Sequence, residues 1–289
     1  MQFADPKNDL AFKKIFGNEN KKEILISFLN AVLDFKGNKA IVDLALANPY
    51  QVPRIPELKE TILDIKATNA DRQTFIVEMQ KKHLSAFHKR SLYYTAKAYV
   101  EQLDVGKDYK ELKKVYFIGI LDFIMFDNID CVSRHLIINQ ETGRQDIDDF
   151  EFTFIELPKF KKELKALKTI FDKWIYFIKN ASSLSMIPRV YEGLPAFQEA
   201  FNIARQSNWN RKELEIYDYV ALKAFDDIHA LDTAKEEGRK EGREEGREEG
   251  RLARNIEIAK ASLAKGLDTQ IVSDITGLSS EQIKDLETV

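Results

Sequence analysis

Residues 62–80 read ILDIKATNADRQTFIVEMQ, and they determine how we expect the central sheet to be built. Residues 62–68 and 74–80 are rich in Ile, Val, Thr and Phe, which favour β-strands. Residues 69–72, Asn-Ala-Asp-Arg, have the composition of a tight turn. The segment therefore predicts an antiparallel hairpin.

The predicted hairpin has one apolar face and one acidic face. If the turn is centred on Asp71, Asp64 lies directly opposite Glu78. Side chains alternate along a strand, so Gln80 shares the face of Glu78. Three apolar side chains point to the other face: Ile65, Val77 and Met79.

Two carboxylates that face each other across a strand pair repel, and a divalent cation such as Mg²⁺ would relieve this repulsion. Spacing alone leaves a second interpretation open, in which Asp64 and Glu78 lie on a solvated face and Gln80 only ends its strand. A register slip of one residue would also separate the two acids.

The ILDIKA segment, the short turn and the IVEMQ segment resemble the core of the PD-(D/E)XK nucleases, in the recombination-promoting nuclease (Rpn) group, which is also described as a transposase family. Three more segments fit this resemblance in order. They are NDLAFKKIFG at 8–17, RSLYYTAKAYVEQL at 90–103, and the EEGR units that precede the TGLS at 276–279. The resemblance covers nearly the whole chain.

The resemblance implies an α/β fold of restriction-endonuclease type, a mixed sheet flanked by helices, with a helical C-terminal region. It also implies Mg²⁺-dependent hydrolysis of DNA, with Mn²⁺ as a substitute, in recombination or on mobile or foreign DNA. Asp64 and Glu78 would be metal ligands, and the Met79 carbonyl is predicted to complete the set. Most of the superfamily has a lysine where this chain has Gln80. We expect this amide to orient the attacking water, but an amide cannot act as the general base for it.

A helix before the core strands adds an acid or a cation to the site in many such nucleases. Asn8 is a good N-cap for a helix that begins at Asp9, so Asp9 and Lys13 are the accessory candidates here. The alternative is an ordinary acid near a helix start and a solvated lysine. Glu60, which would share the face of Asp64, is a weaker candidate for a supporting role.

A basic, tyrosine-rich segment follows the hairpin. Its cations are Lys81, Lys82, His83, His88, Lys89, Arg90 and Lys97. We predict that Lys82 and Lys89 contact DNA phosphates, and the resemblance suggests the same for Arg90. The alternative is a solvated helix face.

Composition limits the other possibilities. The net charge of −3 over 289 residues means that a DNA site must come from local clustering. A single cysteine, Cys131, excludes an internal disulfide framework and is compatible with a reducing cytoplasm. The longest apolar run, 115–126, is too short to span a bilayer, so we expect a cytoplasmic protein without a membrane segment.

We expect three parts along the chain. Residues 1–233 form the nuclease-like domain, with a buried central strand within 115–126, strands at 131–139 and 150–156, and helices at 160–179, 195–206 and 211–233. Residues 234–254 form a helical linker with a glycine at every fourth position. Each glycine costs about 1 kcal/mol relative to alanine in a helix, but it also allows helices of two chains to approach closely.

Residues 255–289 form a small unit of three helices with a helix-turn-helix outline. Its last helix is acidic, which favours oligomerisation or partner binding over DNA reading. We therefore expect a homo-oligomer through the linker and this unit. The alternative to a nuclease is a catalytically inactive core that assembles partners through the C-terminal unit. Strand transfer is disfavoured because no separate RNase-H-like set of acids is present.

Overall fold

The structure is a computed structural model, and it describes residues 2–51, 61–82, 86–103 and 106–287. The chain divides into two compact units, Met1–Lys223 and Ala224–Val289. The first unit contains the sheet and the candidate site, and the second is helical. No helix in the described ranges combines the length and apolarity needed to cross a bilayer.

A mixed sheet of six strands forms the centre of the first unit. The strands of the chain are β1 (Leu44–Leu46), β2 (Tyr50–Gln51), β3 (Thr61–Ile62), β4 (Ile65–Asn69), β5 (Thr74–Gln80), β6 (Val115–Leu121), β7 (Val132–Leu136) and β8 (Phe150–Glu156). The order in the sheet is β1-β4-β5-β6-β8-β7, and β2 pairs with β3 alone. Strands β5, β6 and β8 are parallel, whereas β1, β4 and β7 pair antiparallel to their neighbours. The predicted mixed sheet flanked by helices is confirmed.

The hairpin of β4 and β5 has the predicted register, because Ile65 pairs with Val77. The Asn69 side chain accepts a hydrogen bond from the Gln73 N–H at 2.9 Å and thereby closes the turn. The predicted first strand began too early, at residue 62. Residues 61–62 pair with β2 instead, and the Leu63 N–H donates to the Pro49 carbonyl at 3.0 Å, so β4 begins only at Ile65.

Strand β6 is buried on both faces, as predicted for a central strand. It ends at Leu121, inside the predicted range and before the apolar run ends at 126. The reason lies in Glu156, whose carboxylate accepts hydrogen bonds from the backbone N–H groups of Met125 and Phe126. These groups bond to a side chain and leave the strand ladder.

Helices cover both faces of the sheet. They are α1 (Asp9–Phe16), α2 (Lys22–Leu33), α3 (Phe87–Val100), α4 (Ile170–Asn180) and α5 (Pro195–Ala204). Helices α1, α2, α4 and α5 share one apolar cluster with the face of Ile65 and Val77. Helix α3 covers the other face, where Phe87 and Ala98 pack near Phe117 and Phe154.

One prediction about these helices was wrong. Residues 160–169 contain one short 3₁₀ helix, Leu164–Ala166, instead of the first half of an α-helix, because Thr169 and Asp172 form a capping box that starts α4 at Ile170. On α3, Leu92 is exposed. The buried positions are Phe87, Ser91, Tyr94, Thr95 and Ala98.

The C-terminal helices are α6 (Arg211–Leu263), α7 (Thr269–Thr276) and α8 (Ser280–Glu287). The predicted linker lies within α6, and none of its four glycines has another group within 4 Å of where a Cβ would be. Asp268 caps α7 and Gly277, at φ +69°, ends it. The boundaries at 233 and 254 fall inside one helix and stay a prediction.

Candidate active site

Asp64 and Glu78 are held together by backbone groups at the end of the hairpin. The Asp64 N–H donates to Glu78 Oε1 at 3.0 Å, and the Met79 N–H donates to Asp64 Oδ2 at 2.8 Å. Each carboxylate is therefore oriented by the backbone of the opposite segment. This arrangement fixes two acids side by side at the edge where β5 ends.

Both carboxyl groups are poorly solvated. Glu78 is 5% exposed, and the Asp64 side chain is 15% exposed. Burial raises the pKa of Asp64 above its ordinary value. Burial, followed by the charge of Asp64, raises the pKa of Glu78 as well. A cation between them would stabilise the charged forms and reverse these shifts.

The Met79 carbonyl lies on the same side of β5 as Asp64. The Gln80 carbonyl accepts from the Asp122 N–H at 2.9 Å, on the β6 side. Successive carbonyls of a strand point to opposite sides, so the Met79 carbonyl points away from β6. The Met79 N–H, which bonds to Asp64, faces the same way. The three predicted metal-binding groups are thus brought together.

Helix α1 brings both accessory candidates to this pair. Lys13 Nζ lies 2.9 Å from Asp9 Oδ1 and 3.4 Å from Asp64 Oδ1. Burial opposes the charged form of Lys13, but the hydrogen bond with Asp9 and the charge of Asp64 outweigh it and raise the pKa of Lys13. The helix starts where it does because the Asn8 side chain accepts from the Leu10 N–H at 3.0 Å.

Gln80 and Arg90 are in direct contact. Arg90 Nη2 donates to Gln80 Oε1, and Gln80 Nε2 donates to the Lys82 carbonyl at 3.3 Å. Both ends of the amide that was predicted to orient water are therefore bonded to protein. The guanidinium also lies over the ring of Phe87 on α3, at 4.9 Å from the centroid.

The other predicted DNA contacts lie nearby in the chain. Lys89 is exposed on α3, beside Arg90, and Lys82 is half-buried two residues after β5. Their part in DNA binding stays a prediction. His83 and Glu60 lie outside the described residues.

The sequence did not indicate Lys7. Its Nζ lies 2.8 Å from Asp122 Oδ2, just past the end of β6, on the strand next to the hairpin. A single lysine before α1, separated from Asp122 by more than one hundred positions, carries no local signal. It adds a cation at the edge of the sheet where the two acids lie.

The donor set suits a hard cation that keeps part of its water shell. Mg²⁺ is held by one or two carboxylates together with water and phosphate oxygens. Asp64, Glu78 and the Met79 carbonyl provide two carboxylates and one neutral oxygen. Within the described ranges, no group of three or more His, Cys, Asp or Glu residues could enclose a metal on its own. The remaining ligands must come from water and substrate.

Two family models match the chain. The model of the PD-(D/E)XK nuclease family transposases matches residues 6–234. The model of the C-terminal HTH domain of the Rpn/YhgA-like nuclease family matches residues 253–288. Comparisons with curated proteins and with solved structures gave no match.

Proposed function

The chain belongs to the PD-(D/E)XK nuclease family transposases, and from this premise we propose that it is a metal-dependent DNA endonuclease that hydrolyses phosphodiester bonds. The observation that carries the proposal is the pair of buried carboxylates, each bonded to a backbone N–H of the other strand segment. The family gives the reaction class, and this pair gives the residues.

In this mechanism, Asp64, Glu78 and the Met79 carbonyl would hold Mg²⁺, or Mn²⁺ in its place. The bound metal would supply a Lewis acid for the scissile phosphate and would lower the pKa of an attacking water. The backbone bonds of the hairpin keep both carboxylates oriented before substrate arrives. Lys13 neutralises part of the charge of Asp64, with Asp9 holding the lysine in place.

The cations around the site bind the nucleic acid. Lys82, Lys89 and Arg90 contact phosphates of the DNA, which supports affinity without reading sequence. The HTH match of residues 253–288 supports a second DNA contact in the C-terminal unit. We further propose that the reaction takes place in the cytoplasm, in recombination or on mobile or foreign DNA, and the transposase description of the family supports action on mobile DNA.

Plasmid cleavage tests this proposal. Wild-type protein, Asp64→Asn and a matched Asp71→Asn control are incubated with supercoiled and linear DNA in Mg²⁺, Mn²⁺ or chelator. Asp71 is exposed in the turn at the far end of the hairpin, so its variant should behave as wild type. We expect metal-dependent cleavage that Asp64→Asn abolishes. Equal cleavage by Asp64→Asn and wild type would refute the assignment of the site.

Metal binding without cleavage separates an inactive core from an active one. A functional site should give thermal stabilisation that saturates with Mg²⁺ or Mn²⁺, and Asp64→Asn should lose it. No cleavage together with no saturable stabilisation would favour the alternative of an interaction protein that assembles through its C-terminal unit.

The charges of the repeat support a parallel homo-oligomer. In residues 236–251 each glycine is preceded by Glu and followed by Arg. On a helix these two neighbours lie about 100° to either side of the glycine row. When two such helices face each other in parallel around a two-fold axis, Glu of one lies beside Arg of the other on both sides. An antiparallel pair would instead place Glu beside Glu and Arg beside Arg.

Disulfide trapping distinguishes the two orientations. In a Cys131→Ser background, Gly238→Cys chains should cross-link to each other under mild oxidation if the pair is parallel and in register. An antiparallel pair would cross-link only in mixtures of Gly238→Cys and Gly250→Cys. A monomer by light scattering at all concentrations would refute self-association.

A further inference from the structure

Gln80 stands at the position where a lysine is usual in this superfamily, so the site lacks that cation in its usual place. What contacts Gln80 instead is Arg90, whose Nη2 donates to Gln80 Oε1. The other end of the amide donates to the Lys82 carbonyl. The amide is thereby fixed at both ends, with its oxygen directed to a guanidinium.

Arg90 is rigidly placed by its own helix. Its guanidinium carbon lies 4.9 Å from the ring centroid of Phe87 and 5.6 Å from that of Tyr94, two residues that are themselves buried. Arg90 Nε is buried and has no acceptor among the described residues. An arginine has five N–H donors in a fork that suits phosphate oxygens, and the bond to Gln80 uses one of them.

The bond to Gln80 brings the charge of Arg90 close to the acids, because Gln80 lies two residues after Glu78 on β5 and shares its face. A scissile phosphate in this site gains negative charge in the transition state, and a preorganised cation beside it lowers the barrier. The cation hydrogen-bonded to Gln80 is therefore supplied by α3 and not by β5.

We propose that Arg90 contacts the scissile phosphate and replaces the missing lysine, and that Gln80 is the positioning residue that holds the guanidinium there. The inference rests on the proposed nuclease function and assigns roles within it. Glutamine suits this position because its amide oxygen accepts from Arg90, whereas a lysine would repel it.

Restoring the lysine of the usual motif should reduce activity, not increase it. Gln80→Lys should lower kcat by at least about 10-fold, because the new ammonium displaces Arg90, and Arg90→Gln should lower it about 100-fold. The double variant Gln80→Lys/Arg90→Gln should return to within about 10-fold of wild type, because it carries one cation and one amide with their positions exchanged. Arg90→Lys should remain impaired, because it keeps the charge but loses the fork.

Three controls separate this role from a structural one. Arg72→Gln removes one positive charge from the turn at the far end of the hairpin and should leave kcat unchanged, since Arg72 is well exposed there. Midpoints of thermal unfolding identify variants that fail to fold. Calorimetric Mn²⁺ affinity of Arg90→Gln should stay within a few-fold of wild type, because Arg90 is not a metal ligand.

Recovery of activity in the exchange variant is the decisive result. The proposal is overturned if Gln80→Lys is as active as wild type. It is also overturned if the fold-loss of kcat in the double variant equals the fold-losses of the two single variants multiplied together. If wild type itself does not cleave, the nuclease function fails, and duplex DNA binding in Ca²⁺ tests the cation placement separately. In that case, Arg90→Gln should bind DNA more weakly than wild type and the double variant should recover most of that affinity, and equal affinities of wild type and Arg90→Gln would refute the placement.

Discussion

Two buried glutamates lie on the same face of the sheet, near the ends of parallel strands, and they differ in what surrounds them. Glu156 ends β8 and is fully buried. Its carboxylate accepts from the Met125 N–H at 2.6 Å, the Phe126 N–H at 3.1 Å and Lys159 Nζ at 2.7 Å. Glu78 on β5 receives a single hydrogen bond from the described residues, from the Asp64 N–H, and faces another carboxylate.

The difference shows what makes a buried acid a candidate binding group. Glu156 uses its oxygens to hold the chain that follows β6, so its partners are already within the protein. Glu78 is almost as deeply buried but is short of donors and lies beside a like charge, an arrangement that costs stability. A cation from outside would satisfy it. Burial alone therefore does not mark an acid as a binding group. Burial with few hydrogen-bond donors from the protein does.

The largest expected effect is on activity. Glu78→Gln should lower cleavage by more than about 100-fold, because even residues that only support metal ligands cost 10–100-fold when they are changed. The isosteric Glu156→Gln should keep cleavage within a few-fold of wild type, once the rate is corrected for the folded fraction. Initial rates of plasmid nicking in Mg²⁺ measure both. A loss of equal size in the two variants would remove the distinction between the two sites.

Stability should show the opposite order. Glu156→Gln removes the charge that compensates Lys159, whose side chain is only 9% exposed, and should lower the free energy of unfolding by about 3 kcal/mol. Glu78→Gln removes one of two adjacent acids and should leave that free energy unchanged or raise it. Urea unfolding in the presence of chelator measures both. Destabilisation by Glu78→Gln alone would contradict this interpretation.

The register of the hairpin was predictable because its information is local. The turn composition of 69–72 and the alternation around Ile65 and Val77 both lie within nineteen residues. The α4 start was also encoded locally, in the capping box of Thr169 and Asp172. The apolar spacing continues back to Phe160, so the helix was predicted to begin there. Phe160 does pack into the core, but it lies outside the α-helix.

Other features depend on contacts between distant segments. The end of β6 is set by Glu156, some thirty residues further along the chain, and no pattern near Leu121 indicates this. The contact of Lys7 with Asp122 is of the same kind. Arg90 was suggested by family resemblance, but its bond to Gln80 depends on how α3 packs over the sheet. Of the candidate site, spacing suggested the facing acids and the resemblance suggested Lys13 and Arg90, whereas the contacts of Lys7 with Asp122 and of Arg90 with Gln80 had no local signal.

The pH dependence of the metal-free protein sharpens the contrast further. The folded-state pKa values of Asp64 and Glu78 are raised, so their protonated forms favour folding at low pH, and this contribution is lost as the pH rises. Between pH 5 and 8 in chelator, the free energy of unfolding should fall by at least about 1 kcal/mol, at about 1.4 kcal/mol for each unit of pKa difference. Glu78→Gln should flatten this slope.

Magnesium provides the control for that slope. The metal binds the charged carboxylates, so saturating Mg²⁺ should restore stability at pH 8, by about 2.7 kcal/mol at one hundred times its dissociation constant. The Glu78→Gln protein should gain much less. A slope that is unchanged both by Mg²⁺ and by the substitution would show that these carboxyls do not titrate as the structure indicates.

The smallest expected effect comes from a third buried acid, Asp172, which resembles Glu156 in having internal partners. Burial opposes its charge, but hydrogen bonds from Lys162 Nζ and from the backbone N–H groups of Thr169 and Lys168 outweigh it and lower the pKa of Asp172. Its contribution is therefore present above the ordinary carboxyl pKa and is lost as the pH falls through the lowered one, the reverse of Glu78.

Asp172→Asn should cost about 1 kcal/mol at pH 7, as is typical for a lost helix cap, and should flatten the loss of stability below about pH 4. Urea unfolding between pH 2.5 and 7, with Asp71→Asn as the exposed control, measures both effects. Asp172 is distant in sequence from the hairpin and belongs to α4, so the loss of stability below about pH 4 should not depend on Mg²⁺. If Mg²⁺ changed this loss as strongly as it changes the slope between pH 5 and 8, the number of internal partners would not distinguish the structural acids from the metal-binding pair.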